Sequence, residues 1–265
     1  MKDEAMKAIF SHTIRRMTLS TKVIFFALLV ILPWIMVLFL RLLIAAGSIK
    51  VSLGGVTLYS VLILTDVMSF MVPVLTLYFG TSLIADDVEA GTLPYLFGRP
   101  VRRAKIYLTR YTAMVFVLTV GTWLSVGGSY LLAMAGSRNF HRELGTLLGD
   151  LVVAGLSVLV YGALFSLLGL VLRKPLFWSF LIGFGWENMV GWLPGFLKRF
   201  TLLFHLHTLL PNPPGPTGIF QNMMASSESR FAAVVFLGVY LALFLLTACF
   251  VIQRREAPAT EKGGG

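Results

Sequence analysis

The chain is predicted to be an all-α polytopic membrane protein of six transmembrane helices, and three observations carry that expectation. Six apolar runs are each long enough to cross a hydrocarbon core of roughly 30 Å: Val23–Ala46, Leu58–Ala85, Ile106–Ala135, Leu147–Leu172, Leu176–Leu197 and Phe231–Ile252. Only 13% of the 265 residues are charged and 57% are hydrophobic, with a mean hydropathy of +0.84, whereas a water-soluble domain carries about one quarter charged residues. The basic residues are also unevenly placed. With the N-terminus in the cytosol, 15 of the 22 lysines and arginines fall on the inner side and 7 on the outer. An excess of Lys and Arg marks cytoplasmic segments, so both termini are expected in the cytosol. Residues 1–265 read as a single transmembrane domain, with no soluble unit and no strong internal repeat.

Residues 1–22 are expected to form an interfacial helix. Met6, Ile9, Phe10, Ile14 and Met17 recur at i, i+3 and i+4, while Lys7, Ser11, Arg15 and Arg16 face the other way. That pattern lays an amphipathic helix along the inner surface, its cations near anionic headgroups. Acids at Asp3 and Glu4 and the lack of a cleavage signature argue against a removable signal peptide. In the first two spans, Arg41 and Asp66 lie about 7 Å and about 12 Å inside the outer ends at 1.5 Å per residue. An ion pair between them is expected, with a proton or substrate site on the transport path as the alternative. In the fourth span Gly155, Gly162 and Gly169 form one stripe, which suits close helix packing within the subunit or across a dimer.

The fifth span is glycine-rich. Gly183, Gly185 and Gly191 surround Trp186, Glu187 and Asn188. A weakened helix there leaves Glu187, with Trp186, either lining a transport path or capping a helix break. The outer loop 198–230 contains Phe200–Leu210, apolar but too short to cross. Pro211, Pro213, Pro214 and Pro216 close it, so a re-entrant segment dipping into the outer leaflet is expected before the sixth span. A cytosolic tail occupies 253–265.

Several chemistries are excluded. His205 and His207 are two apart, not four, with no acid or cysteine near, so no metal site is expected. No phosphate-binding G-x-x-x-x-G-K-[ST], no G-x-S-x-G and no H-E-x-x-H occurs. No catalytic residue is therefore assigned. The net charge of +10 comes without a basic block interleaved with aromatics, which argues against nucleic acid. Cys249 is the only cysteine, so no intrachain disulfide can form. A membrane enzyme acting on lipid, using Asp66, Glu187 and the histidines, is the alternative class. It would lack a dense polar cluster on the cytosolic face.

The most informative segment is 86–105, between the second and third spans. Asp86, Asp87 and Glu89 precede Gly91 and Thr92, and Leu93, Pro94, Tyr95, Leu96 and Phe97 lead to Gly98, Arg99, Pro100, Val101, Arg102 and Arg103. Thr92 is a good N-cap, Pro94 is tolerated in a first turn, and Gly98 with Pro100 ends the helix. A helix of one or two apolar turns is not stable alone and needs a partner.

This arrangement resembles the permease subunits of the second family of ATP-binding-cassette exporters (ABC-2 type). Their first cytosolic loop runs from acids through E-x-G-T-L to R-P-V-x-R, matched here by Glu89, Gly91, Thr92, Leu93, Arg99, Pro100, Val101 and Arg103. The resemblance covers under a tenth of the chain. It implies that the loop is a coupling helix seated in a separate ATPase; the apolar Leu96 and Phe97 are then expected as its buried anchors, with Glu89, Arg99, Arg102 and Arg103 at the rim. It further implies two ATPase subunits per complex and a second permease, identical or homologous, in the cell (inner) membrane of a bacterium. ATP and Mg would be held by the partner ATPase, with no cofactor bound by this chain. An assembly or signalling subunit using the same coupling is a variant of this reading.

Overall fold

The computed structural model describes residues 2–18, 22–46, 55–89, 103–135, 140, 143–172, 174–187, 190, 196–211 and 229–254. Among them every regular element is helical. Helix α1 (Lys2–Thr18) is followed by α2 (Lys22–Ala45). Helix α3 (Gly55–Leu62) runs through a π-helical stretch (Ile63–Met71) into α4 (Val72–Glu89). Then come α5 (Arg103–Met134) and α6 (Leu144–Val171). Helix α7 (Pro175–Phe180) continues as a second π-helical stretch (Leu181–Trp186). A 3-10 turn (Phe196–Phe200), α8 (Leu202–Leu209) and α9 (Arg230–Arg254) complete the order.

Five helices are long and apolar enough to cross a membrane: Lys22–Ala45, Gly55–Leu83, Arg103–Met134, Leu144–Val171 and Arg230–Arg254. They match five of the six expected spans to within a few residues. The expected fifth span, Leu176–Leu197, is described only in part, since residues 188–189 and 191–195 lie outside the described residues. Its described part includes the apolar helix Pro175–Trp186. Gly183 and Gly185 lower helix propensity there, and the widened turns of the second π-helical stretch follow from the same weakness.

The bundle is built around α4 and α6. Their contact depends on two glycines that let backbones meet. A Cβ at Gly169 would lie 2.7 Å from the carbonyl oxygen of Thr81, and one at Gly80 would lie 3.1 Å from Cβ of Phe165. The other two glycines of the expected stripe face α5: a Cβ at Gly162 would lie 3.2 Å from Cε of Met114, and one at Gly155 3.5 Å from Nε1 of Trp123. The stripe therefore packs within the subunit. Gly169→Val should force α4 and α6 apart and lower stability by about 3 kcal/mol, the upper end of overpacking costs. Gly155→Ala, which has room, should not. Thermal unfolding in detergent reads both, and equal midpoints for Gly169→Val and wild type would refute the close contact.

Helix α2 docks on α5 by the converse device, with large rings in glycine gaps. A Cβ at Gly121 would run into the Phe26 ring and one at Gly128 into the Trp34 indole. The Trp34 Nε1–H also donates to the Ser125 carbonyl at 3.0 Å. Between α5 and α6, the Tyr111 hydroxyl donates to the Leu159 carbonyl at 2.7 Å, and the Tyr107 and Ser166 hydroxyls are 2.7 Å apart. Interhelical hydrogen bonds and small-residue contacts hold helices together where lipid supplies no hydrophobic drive.

The outer faces read as lipid-facing. Ile24, Leu28, Ile35, Phe39 and Leu42 of α2 and Phe231, Val235, Val239, Leu246 and Phe250 of α9 are all exposed. Exposed apolar faces of this extent on two long helices fit hydrocarbon and not water. Helix α1 lies against α5: Phe10 packs on Phe116 with ring centroids 6.4 Å apart, and the Thr109 hydroxyl reaches Sδ of Met6 at 3.4 Å. Met17 is buried while Lys7, Ser11 and Arg15 are exposed, as the amphipathic pattern requires.

Candidate functional site

Two π-helical stretches touch through an aromatic pair. Phe70 of the first and Phe184 of the second pack edge to face with centroids 6.1 Å apart, and α8 packs against the first stretch. The cause of the first is legible locally. Pro73 has no N–H to give and its ring crowds the carbonyl one turn back. Widening the helix relieves both, so the Val72 N–H reaches the Val67 carbonyl, five residues away. In the second stretch the Glu187 N–H likewise reaches Ile182. Such widened turns are frequent at functional positions.

Asp66 sits in the first stretch, 6% exposed, and its Oδ2 has no hydrogen-bond partner among the described residues. The expected ion pair with Arg41 is not formed. The Arg41 Nη2 donates instead to the carbonyl of Ala135 at 2.6 Å. Ala135 follows the last residue of α5, and the carbonyls at a helix C-terminus lack intrahelical donors and favour a cation. Asp66→Asn should therefore leave folding intact or raise the unfolding midpoint, because an unpaired buried charge is removed and the shape is kept. Yield and midpoint of the purified variant check this. A clear drop would reveal a cation partner.

Glu187 is bound on three sides. Its Oε1 accepts from the Leu202 N–H at 3.1 Å and its Oε2 from the Leu203 N–H at 3.0 Å. The Tyr161 hydroxyl donates to Oε2 at 3.2 Å. Leu202 and Leu203 open α8, where the first backbone N–H groups have no intrahelical partner, and Thr201 supplies no side-chain cap. A carboxylate from another helix does so, favoured by the positive end of the helix dipole. Of the two roles expected for Glu187, the geometry favours the cap. Trp186 is half exposed.

The expected re-entrant segment Phe200–Leu210 takes the form of α8, a helix of only 8 residues. His205 Nε2 is 2.7 Å from the Arg199 carbonyl, and its ring stacks on Phe236 of α9 at 5.0 Å. His205 thus ties α8 to α9.

The sequence reading did not single out Asp150, Tyr59 or Tyr161. Asp150, near the start of α6, is 4% exposed and lies beside the Tyr59 hydroxyl. Tyr59 and Tyr130 pack edge to face at 5.3 Å, and the Tyr130 hydroxyl donates to the Phe140 carbonyl. An acid inside the fourth apolar run was the available signal. Asp66, Asp150 and Glu187 are the buried carboxylates among the described residues.

Of the expected coupling residues, Glu89 ends α4 and Arg103 opens α5. Gly91, Thr92, Leu93, Leu96, Phe97, Arg99, Pro100 and Arg102 lie outside the described residues. No protein-family model matches the chain, and no curated protein matches it either.

Proposed function

We propose that this chain is the membrane-spanning permease subunit of an ATP-driven exporter, coupled to a separate ATPase through residues 86–105. The observation that carries the proposal is the order Glu89-x-Gly91-Thr92-Leu93, then Arg99-Pro100-Val101-x-Arg103, between two membrane helices. Its position supports a mechanical role. The segment joins α4, at the centre of the bundle, to α5, the longest helix at 32 residues. A push on it would move both at once.

In this reading two ATPase subunits hold ATP and Mg, close on binding them, and drive the coupling helices. The bundle then shifts between arrangements of different access. A second permease, identical or homologous, completes the path, with lipid against the remaining apolar faces. The chain crosses six times with both termini in the cytosol, its fifth crossing beginning with α7. Helix α8 is the re-entrant piece near the outer leaflet, held by Glu187.

Affinity purification of the tagged permease from its native membrane tests this. An ATPase of the cassette type should accompany it at a one-to-one ratio. Purification without any ATPase, under conditions that preserve other membrane complexes, would overturn the proposal.

A further inference from the structure

We propose that the side of the bundle bearing the N-terminus has a binding site for the phosphate headgroup of an anionic phospholipid. The site is a pocket between α1, α2, α4 and α5, which contribute His12, Lys22, Ser82 and Arg110 respectively to its wall. Two cations and an imidazole from three different helices converge on one space. Such convergence of basic groups between membrane helices on the cytoplasmic side suits a lipid headgroup.

The chemistry of the wall is that of an amphiphile's polar end. The floor is apolar, with Met17, Phe79 and Leu83, all buried. The Arg110 guanidinium is held at the wall by its bond from Nη1 to the Leu83 carbonyl at 3.3 Å. The Lys22 ammonium lies 5.6 Å from the centroid of the Tyr78 ring, which keeps its stem against the protein. The Ser82 hydroxyl gives its proton to the Phe79 carbonyl at 3.2 Å, leaving lone pairs for a headgroup hydroxyl. The pocket is open on one side and has a volume of about 40 Å³, which admits a small polar group.

The surroundings favour a lipid over a free anion. Lys22 opens α2, whose next turns expose Ile24, Phe25 and Leu28, an apolar track along which an acyl chain can run. Helix α1, amphipathic and set along the same surface, closes the pocket from the other side. The site goes beyond the exporter reading and does not depend on it.

The test uses the full-length protein purified in a neutral detergent, with lipid retention read by native mass spectrometry and stability by thermal unfolding. Phosphatidylglycerol should be retained at one molecule per chain and should raise the unfolding midpoint more than phosphatidylcholine does. Lys22→Gln should weaken the phosphatidylglycerol effect about fivefold, the share of one cation near an anionic headgroup. Adding Arg110→Gln should abolish the preference. If that double variant fails to fold, Lys22→Gln alone decides. Equal effects of the two lipids, or an unchanged preference in Lys22→Gln, would overturn the proposal. Full reproduction of the effect by inorganic phosphate would overturn the lipid assignment in favour of a free-anion site. ATPase association enters none of these readouts, so the exporter reading stands or falls separately.

Discussion

Glu187→Ala is expected to release α8 from the bundle. The carboxylate accepts two backbone N–H bonds at the start of α8 and one from Tyr161, and alanine leaves all three donors without an acceptor. Each buried donor left unpaired costs about 1–3 kcal/mol. Removing a buried carboxylate offsets part of that loss. The remainder should still exceed the cost of losing an ordinary helix cap, about 1 kcal/mol. Helix α8 has only 8 residues and cannot hold itself together, so its amides should lose protection in hydrogen exchange before the rest of the bundle does. Glu187→Gln keeps one acceptor oxygen but turns an NH2 toward the other N–H, and should fall between wild type and alanine. Tyr161→Phe removes only the hydroxyl bond and should have the mildest effect, about 1 kcal/mol. Wild-type protection of residues 202–209 in Glu187→Ala, together with altered transport, would instead assign Glu187 to the substrate path.

The double variant Leu96→Ala, Phe97→Ala should separate the permease from its ATPase without unfolding it. On the proposed function these two side chains are the apolar anchors of a helix too short to be stable alone. Anchors buried at the centre of an interface typically contribute about 2 kcal/mol or more each, so losing both should lower affinity by about a thousandfold. The basic residues Arg99, Arg102 and Arg103 steer orientation at the rim and should have smaller individual effects. The expected result is a permease that reaches the membrane in normal amount, with the ATPase lost on purification or hydrolysing ATP without transport. Unchanged association and unchanged coupling would remove residues 86–105 from the transmission role. Gly91→Val is the companion variant. It should misaim the short helix if the turn before Thr92 needs a backbone conformation open only to glycine.

The helices were legible because the signals that specify them are local. Hydropathy over about twenty residues marks a span, and five of the six expected spans appear as helices of sufficient length with ends close to those expected. The remaining one, Leu176–Leu197, is described as helix over Pro175–Trp186, and residues 188–189 and 191–195 lie outside the described residues. The amphipathic pattern of residues 1–22 was equally readable, since the side of a helix on which a residue falls follows from its spacing alone. Pro73 was in plain view too, but its effect on the six residues before it was not drawn out. A proline predicts a disturbed turn more readily than the particular widening that accommodates it.

Sequence alone therefore determined that this protein is helical, built for a hydrocarbon environment, and interrupted by one charged, glycine-punctuated segment between its second and third long apolar runs. Tertiary structure decided which polar groups meet. Arg41 and Asp66 sit at compatible depths, yet the arginine takes the carbonyl end of α5 and the aspartate stays without it. Glu187 was open between two roles until α8 brought two N–H groups to it. The glycines of the fourth span promised close packing, and only the assembled bundle settled that Gly169 meets Thr81 while Gly162 meets Met114. The physical reason is common to all three. Membrane insertion depends on the summed transfer free energy of consecutive residues, which composition records. A hydrogen bond or backbone contact depends on helix rotation and crossing, which many distant side chains set together.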